Sequence, residues 1–316
     1  MVVSPPIFLS SGDLLADRRY QHARDFEARG DFAAATDLLA QAVERAPEFA
    51  SAWFALGEVR ERLGDAAGAT AAFAQARALD GGDRHGAALR LVRLGAADPG
   101  ASMTPGYVRT LFDQYAPRFE EALDRLGYRA PALLRAAVGD VCEATQRPAK
   151  FSGVIDLGCG TGLAGEAFAD TAEEIVGVDL SPGMIAEARR KGVYARLETR
   201  DLLELLCGEA DASADLVIAA DVLVYVADLA PICREVARVL RPTGFFAFTV
   251  ETHDGQGVIL GPRLRYAHAA GHVRSTLAAA GLHPVKLESA STRNENGIAV
   301  PGLLVVTALT QERAAE

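Results

Sequence analysis

Apolar positions follow two different periods along this chain. Over residues ~16–80 they recur at helical spacing in an alanine-rich background. From Phe151 the pattern changes to short apolar runs that alternate with amphipathic stretches. The runs predict strands at about 152–157, 174–179, 193–198, 215–220, 243–250, 284–290 and 302–308. The stretches between them predict helices at about 161–169, 182–190, 202–207, 229–239 and 270–281. Continuously apolar strands joined by helices imply a mostly parallel sheet covered on both faces. The last two strands flank Arg293–Gly297 with no helix between, so they are expected to run antiparallel.

The stretch Gly95–Pro105, GAADPGASMTP, is rich in turn formers and marks the best boundary in the chain. We therefore expect a helical module over 1–98, a linker and helical lid segment over 99–150, and an α/β domain over 151–316. In the lid segment Val108, Leu111, Phe112, Phe119 and Leu123 keep helical spacing, interrupted at Pro117.

The helical module repeats itself at a spacing of 34 residues. Gly30-Asp31 aligns with Gly64-Asp65, Leu39 with Phe73, Gln41 with Gln75 and Ala42 with Ala76. Gly30 and Gly64 are expected to end the first helix of each pair, and a helix near Gly86–Leu94 to cover the open end. A helix-turn-helix unit of this length resembles the tetratricopeptide repeat. The second copy carries Trp53, Leu56-Gly57, Ala69, Phe73 and Ala76 in the consensus order of that family; the first has Arg19 in place of Trp53 but keeps Pro47 at its close. Such a module either pads the neighbouring domain or offers a groove to a peptide or protein partner.

Candidate chemistry concentrates after the first strand, in VIDLGCGTGLAG (154–165). Gly160–Gly165 satisfies the dinucleotide pattern G-x-G-x-x-G, but with the strand ending at Leu157 the turn comprises Gly158–Gly162. Gly165 then falls inside the helix, where it is expected to let the helix pack closely on the sheet. Asp156 sits inside an apolar strand at its ligand-facing end. A buried carboxylate there would repel a pyrophosphate and attract an ammonium or sulfonium. Asp179 ends the second strand, where an acid can accept both hydroxyls of a ribose. Pro182 then opens a helix at its first turn, and Met184 is placed to lie against a purine.

Five motifs, VIDLGCGTG (154–162), VGVDLSPGMI (176–185), TRDLLEL (199–205), DLVIAADVLVYV (215–226) and LRPTGFFAF (240–248), occur in the order and spacing of class I S-adenosylmethionine-dependent methyltransferases. With the repeats in front, the whole chain resembles a group of bacterial methyltransferases carrying an N-terminal tetratricopeptide region. The resemblance implies a Rossmann-like, seven-stranded methyltransferase sheet, mostly parallel with its last strand antiparallel. It implies that Asp156 and the Gly158–Cys159–Gly160 backbone hold the methionine end of S-adenosyl-L-methionine. Asp179 would take the ribose hydroxyls, Leu180 and Met184 the adenine ring, and Asp201 with the Leu202 backbone the adenine amine. Ala219–Asp221 would complete the pocket beside the methyl group. Arg241–Gly244 would form the turn before the fifth strand.

The resemblance places acceptor pockets between the fifth strand and the next helix, which makes Tyr266 and His268 the catalytic candidates, with His253 nearby. His268 is weighed against a histidine at the helix entry that only bonds backbone. Asp113 and Tyr115 are weighed between a lid over the cofactor and simple helix packing. Cys159 is read as a small turn residue and not a nucleophile. Transfer to a heteroatom needs alignment first, and a base only if the acceptor arrives protonated.

Composition narrows the remaining classes. A formal net charge of -10 argues against broad nucleic-acid binding, which needs basic side chains to displace counterions. The four cysteines are scattered, with no metal-ligand spacing, as expected for free thiols in a reducing cytoplasm. No apolar run suggests a membrane span, and Met1–Ser10, with Pro5-Pro6 and no basic residue, does not resemble an export signal. The expected acceptor is a small molecule or a protein side chain. The alternatives are an NAD-dependent oxidoreductase on a similar fold and a non-catalytic scaffold that holds cofactor.

Overall fold

The computed structural model of the chain describes residues 7–98, 100 and 103–310. Pro5-Pro6, and Pro99, Ala101 and Ser102 of the linker, lie outside the described residues. The chain divides into two compact units, with the division between Thr110 and Leu111.

Among its described residues the first unit has helices as its regular elements: α1 (Leu14–Ala28), α2 (Phe32–Arg45), α3 (Ala50–Arg62), α4 (Ala66–Leu79) and α5 (Ala87–Arg93), with the start of a sixth. The ends of α1 and α3, and both ends of α2 and α4, are offset by 34 residues. The same two devices recur at each turn. Gly30 and Gly64 adopt left-handed backbone (φ 81° and 80°), which costs glycine little. Asp31 and Asp65 then accept the amides of Ala34 and Gly68 at 3.1 and 2.9 Å, capping the following helix. A side chain at Gly57 would meet the Phe73 ring at 2.6 Å, so the absent Cβ is what lets α3 and α4 approach. A buried polar chain ties the loop after α4 to α3 and to the segment before α1. His85 Nδ1 lies 3.2 Å from Asp80 Oδ2, His85 Nε2 lies 3.0 Å from Ser51 Oγ, and Ser51 Oγ accepts the Leu9 amide at 2.8 Å.

Helix α6 (Pro105–Tyr115) carries the chain across the division. In the second unit a 3-10 turn at Ala116–Arg118 holds Pro117 where the helical pattern breaks. Helices α7 (Phe119–Arg125) and α8 (Ala130–Ala144) follow. The sheet strands are β1 (Phe151–Leu157), β2 (Ala172–Asp179), β3 (Arg196–Thr199), β4 (Ala214–Ala219), β5 (Leu240–Glu251), β6 (Val258–Leu260), β7 (Tyr266–His268), β8 (Leu282–Ser289) and β11 (Gly302–Leu309). Between the last two, β9 (Asn294–Glu295) and β10 (Ile298–Ala299) form a separate small hairpin. The main order is β3-β2-β1-β4-β5-β11-β8. Strands β1 to β5 pair in parallel, and β11 runs antiparallel to both β5 and β8. This is the expected Rossmann-like sheet with its antiparallel last strand.

Helices α9 (Leu163–Phe168), α10 (Pro182–Lys191), α11 (Leu202–Gly208), α12 (Ala230–Val239) and α13 (Ala270–Ala279) connect the strands. One face of the sheet buries Leu205, Ile232, Val236 and Leu277 from α11, α12 and α13. The other buries Leu134, Val138 and Phe168 from α8 and α9. One local expectation needs correction. Residues 241–244 are not a turn before β5: the strand begins at Leu240, and its pairing with β4 shifts register so that Leu216 faces Phe245. After β5, strands β6 and β7 form a hairpin that joins the sheet through Glu251 and Ala267.

Candidate functional site

Parallel strands diverge where the order reverses, and here β1 lies between β2 and β4. The carboxyl ends of these three strands bring Asp156, Asp179 and Ala219–Asp221 together around the glycine turn. Gly158, Gly160 and Gly162 all have positive φ (62°, 54° and 94°), a turn that side chains would strain. Gly158 also needs its bare Cα, since a Cβ would lie 2.2 Å from Val222 beyond the tip of β4.

Three amides of this turn are already engaged. Cys159 N donates to Val178 O at 2.9 Å, Gly160 N to Asp179 Oδ2 at 3.0 Å, and Gly162 N to Cys159 O at 2.9 Å. Asp179 Oδ1 accepts the Ser181 amide at 2.8 Å. Burial pushes the Asp179 carboxyl up to about 6, against the pull of these amides. The Cys159 thiol is buried and pushed well above its ordinary range by desolvation and by the neighbouring acids Asp156 and Asp179, which suits a turn residue and not a nucleophile.

Asp156 is 1% exposed. Its Oδ2 accepts the Tyr194 hydroxyl at 2.6 Å, while Oδ1 is buried without a hydrogen-bond partner. Desolvation pushes this carboxyl up to about 7 and Asp179 adds to the rise, while the Tyr194 bond and, more weakly, the Gly165 backbone amide oppose it. Nothing in the sequence pattern pointed to Tyr194. Gly165, expected to pack on the sheet, instead makes room for that ring: a Cβ there would lie 2.4 Å from the Tyr194 hydroxyl.

The adenine-side candidates are dispersed along the edge. Leu180 and Leu202 are half-buried, and Met184 is fully buried on the inner face of α10. Asp201 caps α11, accepting the Leu203 amide at 2.8 Å. Asp113, at the end of α6, accepts the Ser181 hydroxyl at 2.5 Å and the Gly183 amide at 3.1 Å, so it closes the amino end of α10. In the turn after β4 the Tyr225 ring meets Phe112 edge-on at 5.2 Å.

Asp221 enters a polar network that the sequence did not foreshadow. Its backbone is left-handed (φ 54°), and its Oδ1 accepts the Thr249 hydroxyl at 2.8 Å. Its Oδ2 accepts the Thr292 hydroxyl at 2.8 Å and Arg293 Nη1 at 2.6 Å. Arg293, 6% exposed, also donates to Glu295 at 2.9 Å and to Glu251. Arg265 reaches the same two glutamates at 2.7 and 3.0 Å.

Tyr266 and His268 lie on β7, both buried. His268 Nε2 is 3.0 Å from Val226 O, in the turn after β4, and Nδ1 is buried without a partner. Desolvation first, then His272, lowers its pKa to about 4, so the ring is neutral at pH 7. His253 bonds locally, to Gly257 O at 3.3 Å. Among the described residues no cluster of three or more His, Cys, Asp or Glu could hold a metal, and no helix is long and apolar enough to cross a membrane.

Comparison with known proteins agrees with this arrangement. Residues 155–248 match a methyltransferase domain family. A relative is methyltransferase-like protein 27 of Homo sapiens, 29% identical over 174 residues, which covers 54% of this chain and 66% of that protein. Another is the ubiquinone biosynthesis O-methyltransferase of Azorhizobium caulinodans, 30% identical over 38% of this chain and 47% of the relative. The chain thus spans less than two thirds of the length of these relatives. Two solved structures share the fold. One is a Haloferax volcanii complex of a methyltransferase with an activator (TM-score 0.51, 23% identity, 65% of this chain, 98% of that one). The other is the Synechocystis magnesium protoporphyrin IX methyltransferase with bound S-adenosylhomocysteine (TM-score 0.50, 19% identity, 65% of this chain, 99% of that one). The second unit thus has the fold and strand order of these methyltransferase structures, and its residues 155–248 match a methyltransferase domain family.

Proposed function

We propose that the protein transfers a methyl group from S-adenosylmethionine to a heteroatom of a small-molecule or protein acceptor. The observation that carries this reading is the glycine turn itself. A dinucleotide needs free turn amides for its pyrophosphate, and three of them are engaged internally, between the buried carboxylate of Asp156 and the half-buried one of Asp179. The same turn suits a cofactor with a cationic end and no phosphate: Asp156 Oδ1 is a buried acceptor without a donor. When bound, that cofactor supplies a methyl already activated by its sulfonium.

The chain's residues then have to bind, orient and exclude water. Asp156 and the Gly158–Gly160 backbone would hold the methionine end. Asp179 would accept the ribose hydroxyls, giving up or sharing its bonds to Gly160 and Ser181. Leu180 and Met184 would border the adenine, and Asp201 with the Leu202 amide would meet its amine. Asp221, held by Arg293, would border the transferring methyl. His268 would act through the Val226 carbonyl, by fixing the turn that carries Tyr225, with Tyr266 beside it on β7. Asp113, with Tyr115, would close the site by its grip on the amino end of α10.

The 34-residue offset between helix pairs supports assigning the first unit as tetratricopeptide repeats, with a peptide or protein as partner. Its α1, α3 and α5 already pair charges among themselves, Glu58 binding Arg24 at 3.2 Å and Arg90 at 2.9 Å. We place the protein in the cytoplasm on the strength of its unpaired thiols.

Calorimetric titration of the full chain tests the cofactor. S-adenosylhomocysteine is expected to bind and NAD is not; binding of NAD alone overturns the reading. Labelled methyl transfer into native extract then sorts the acceptor among protein, nucleic acid and small molecules.

A further inference from the structure

Three glycines from three different elements converge on one aromatic ring. A Cβ at Gly165 in α9 would lie 2.4 Å from the Tyr194 hydroxyl, and one at Gly177 in β2 would lie 2.8 Å from the ring. A Cβ at Gly162, in the turn, would lie 3.1 Å from it. Gly177 is also the residue paired with Asp156 across β1 and β2. The slot thus leads the hydroxyl from the loop before β3 to a buried carboxylate near the carboxyl end of β1. Any side chain at Gly165 or Gly177 would obstruct it. Packing alone does not call for this arrangement, since a phenylalanine would fill the same slot. The hydroxyl makes one bond to Oδ2 and leaves Oδ1 without a donor.

We propose that Tyr194 is a positioning residue for cofactor binding: threaded through the Gly162–Gly165–Gly177 slot, it fixes the rotamer of Asp156 by bonding Oδ2. Oδ1 is thereby kept for the ammonium of the bound methionine moiety. The inference rests on the proposed cofactor. It adds a residue outside all five motifs to the machinery that holds it.

The consequence is a pH signature. A hydroxyl that donates to an ionised carboxylate favours the ionised form, so its removal raises the pH at which Asp156 titrates. The other titratable groups around Asp156 are Asp179 on β2, Cys159 in the turn and Tyr128 before α8. They remain in place when the hydroxyl alone is deleted.

The experiment is calorimetric titration of full-length wild type and Tyr194→Phe with S-adenosylhomocysteine between pH 5.5 and 8.5, with thermal melts to confirm folding. Wild-type affinity is expected to fall as pH drops through about 7, where Asp156 takes up its proton. In Tyr194→Phe, affinity at pH 7 should fall roughly tenfold and the midpoint should move up by about one pH unit, as loss of one charge-assisted hydrogen bond implies. A purely structural role would lower affinity equally at every pH and leave the midpoint unmoved, which overturns the assignment. Wild type that binds no S-adenosylhomocysteine at any pH overturns the cofactor reading and this inference with it. A pH-dependent wild type with an identical variant overturns this inference alone.

Discussion

Replacing Arg293 with glutamine should destabilise the catalytic unit strongly, and the structure sets the scale. The guanidinium is 6% exposed and bonds three carboxylates, those of Asp221, Glu251 and Glu295. Its loss leaves Glu251 and Glu295 with Arg265, at 3.0 and 2.7 Å, and Glu295 with Arg263 as well. Asp221 keeps only hydroxyl donors, Thr249 and Thr292, for its side chain. Breaking a buried pair by removing one partner costs about 3–5 kcal/mol. With Arg265 still serving two of the three acids, the lower end, about 3 kcal/mol, is expected for Arg293→Gln. Asp221→Asn leaves Arg293 two acids, so its cost should be smaller, about 1–2 kcal/mol. If the pair acts as one unit, the double variant should cost less than the sum by about 1–2 kcal/mol. Urea denaturation of all four proteins, followed by far-ultraviolet circular dichroism, supplies the cycle. Costs that add to within about 0.5 kcal/mol would refute the coupling, and with it the claim that Arg293 holds the tip of β4.

Three further outcomes follow from the same geometry. Asp179→Ala should weaken S-adenosylhomocysteine binding at least tenfold, about 1.4 kcal/mol, in calorimetry; unchanged affinity would remove Asp179 from the ribose site. Asp156 has its folded pKa raised to about 7, so the folded apoprotein holds a proton that the unfolded chain releases at lower pH. Stability from this group is present below the unfolded carboxylate range and is lost as pH rises toward 7. Asp156→Asn should therefore melt higher than wild type at pH 8 and equal it near pH 4; a difference independent of pH would show that Asp156 is not the titrating group. His85→Ala should cost about 1–3 kcal/mol by removing the buried bonds of His85 to Ser51 and Asp80, which keep only Leu9 and Arg84, and should speed hydrogen exchange at the Leu9 amide. Exchange at Leu9 that stays slow would mean the Ser51–His85–Asp80 chain does not restrain that segment.

Ser51, His85 and Asp80 have the connectivity of a hydrolase triad, yet the neighbours argue for a tie. Ser51 is 1% exposed and its oxygen is already accepting the Leu9 amide, so no substrate carbonyl can reach it. Desolvation lowers the His85 pKa, which keeps the ring neutral inside the helical unit. Residue type and order alone would not have separated these cases; accessibility does.

Much of this protein was legible in its sequence, because the relevant signals are local. The strand and helix alternation after Phe151, the 34-residue offset of the helix pairs and the glycine turn after Leu157 each arise from neighbours along the chain. Asp156 and Asp179 stood out because an acid inside or at the end of an apolar strand breaks the pattern around it. Other features required the tertiary structure, because their partners are far apart in sequence. Tyr194 meets Asp156 across 38 residues, and Arg293 meets Asp221 across 72. Neither spacing has a periodic signature, and each contact exists only because the sheet order brings the loops that carry Tyr194, Asp221 and Arg293 to the same edge as their partners. The burial of His268 on β7 and the bulged start of β5 were decided in the same way, by pairing with strands that no local pattern specifies. Local chemistry set the elements and the glycine turn, whereas the topology of the sheet chose which distant side chains would complete the site.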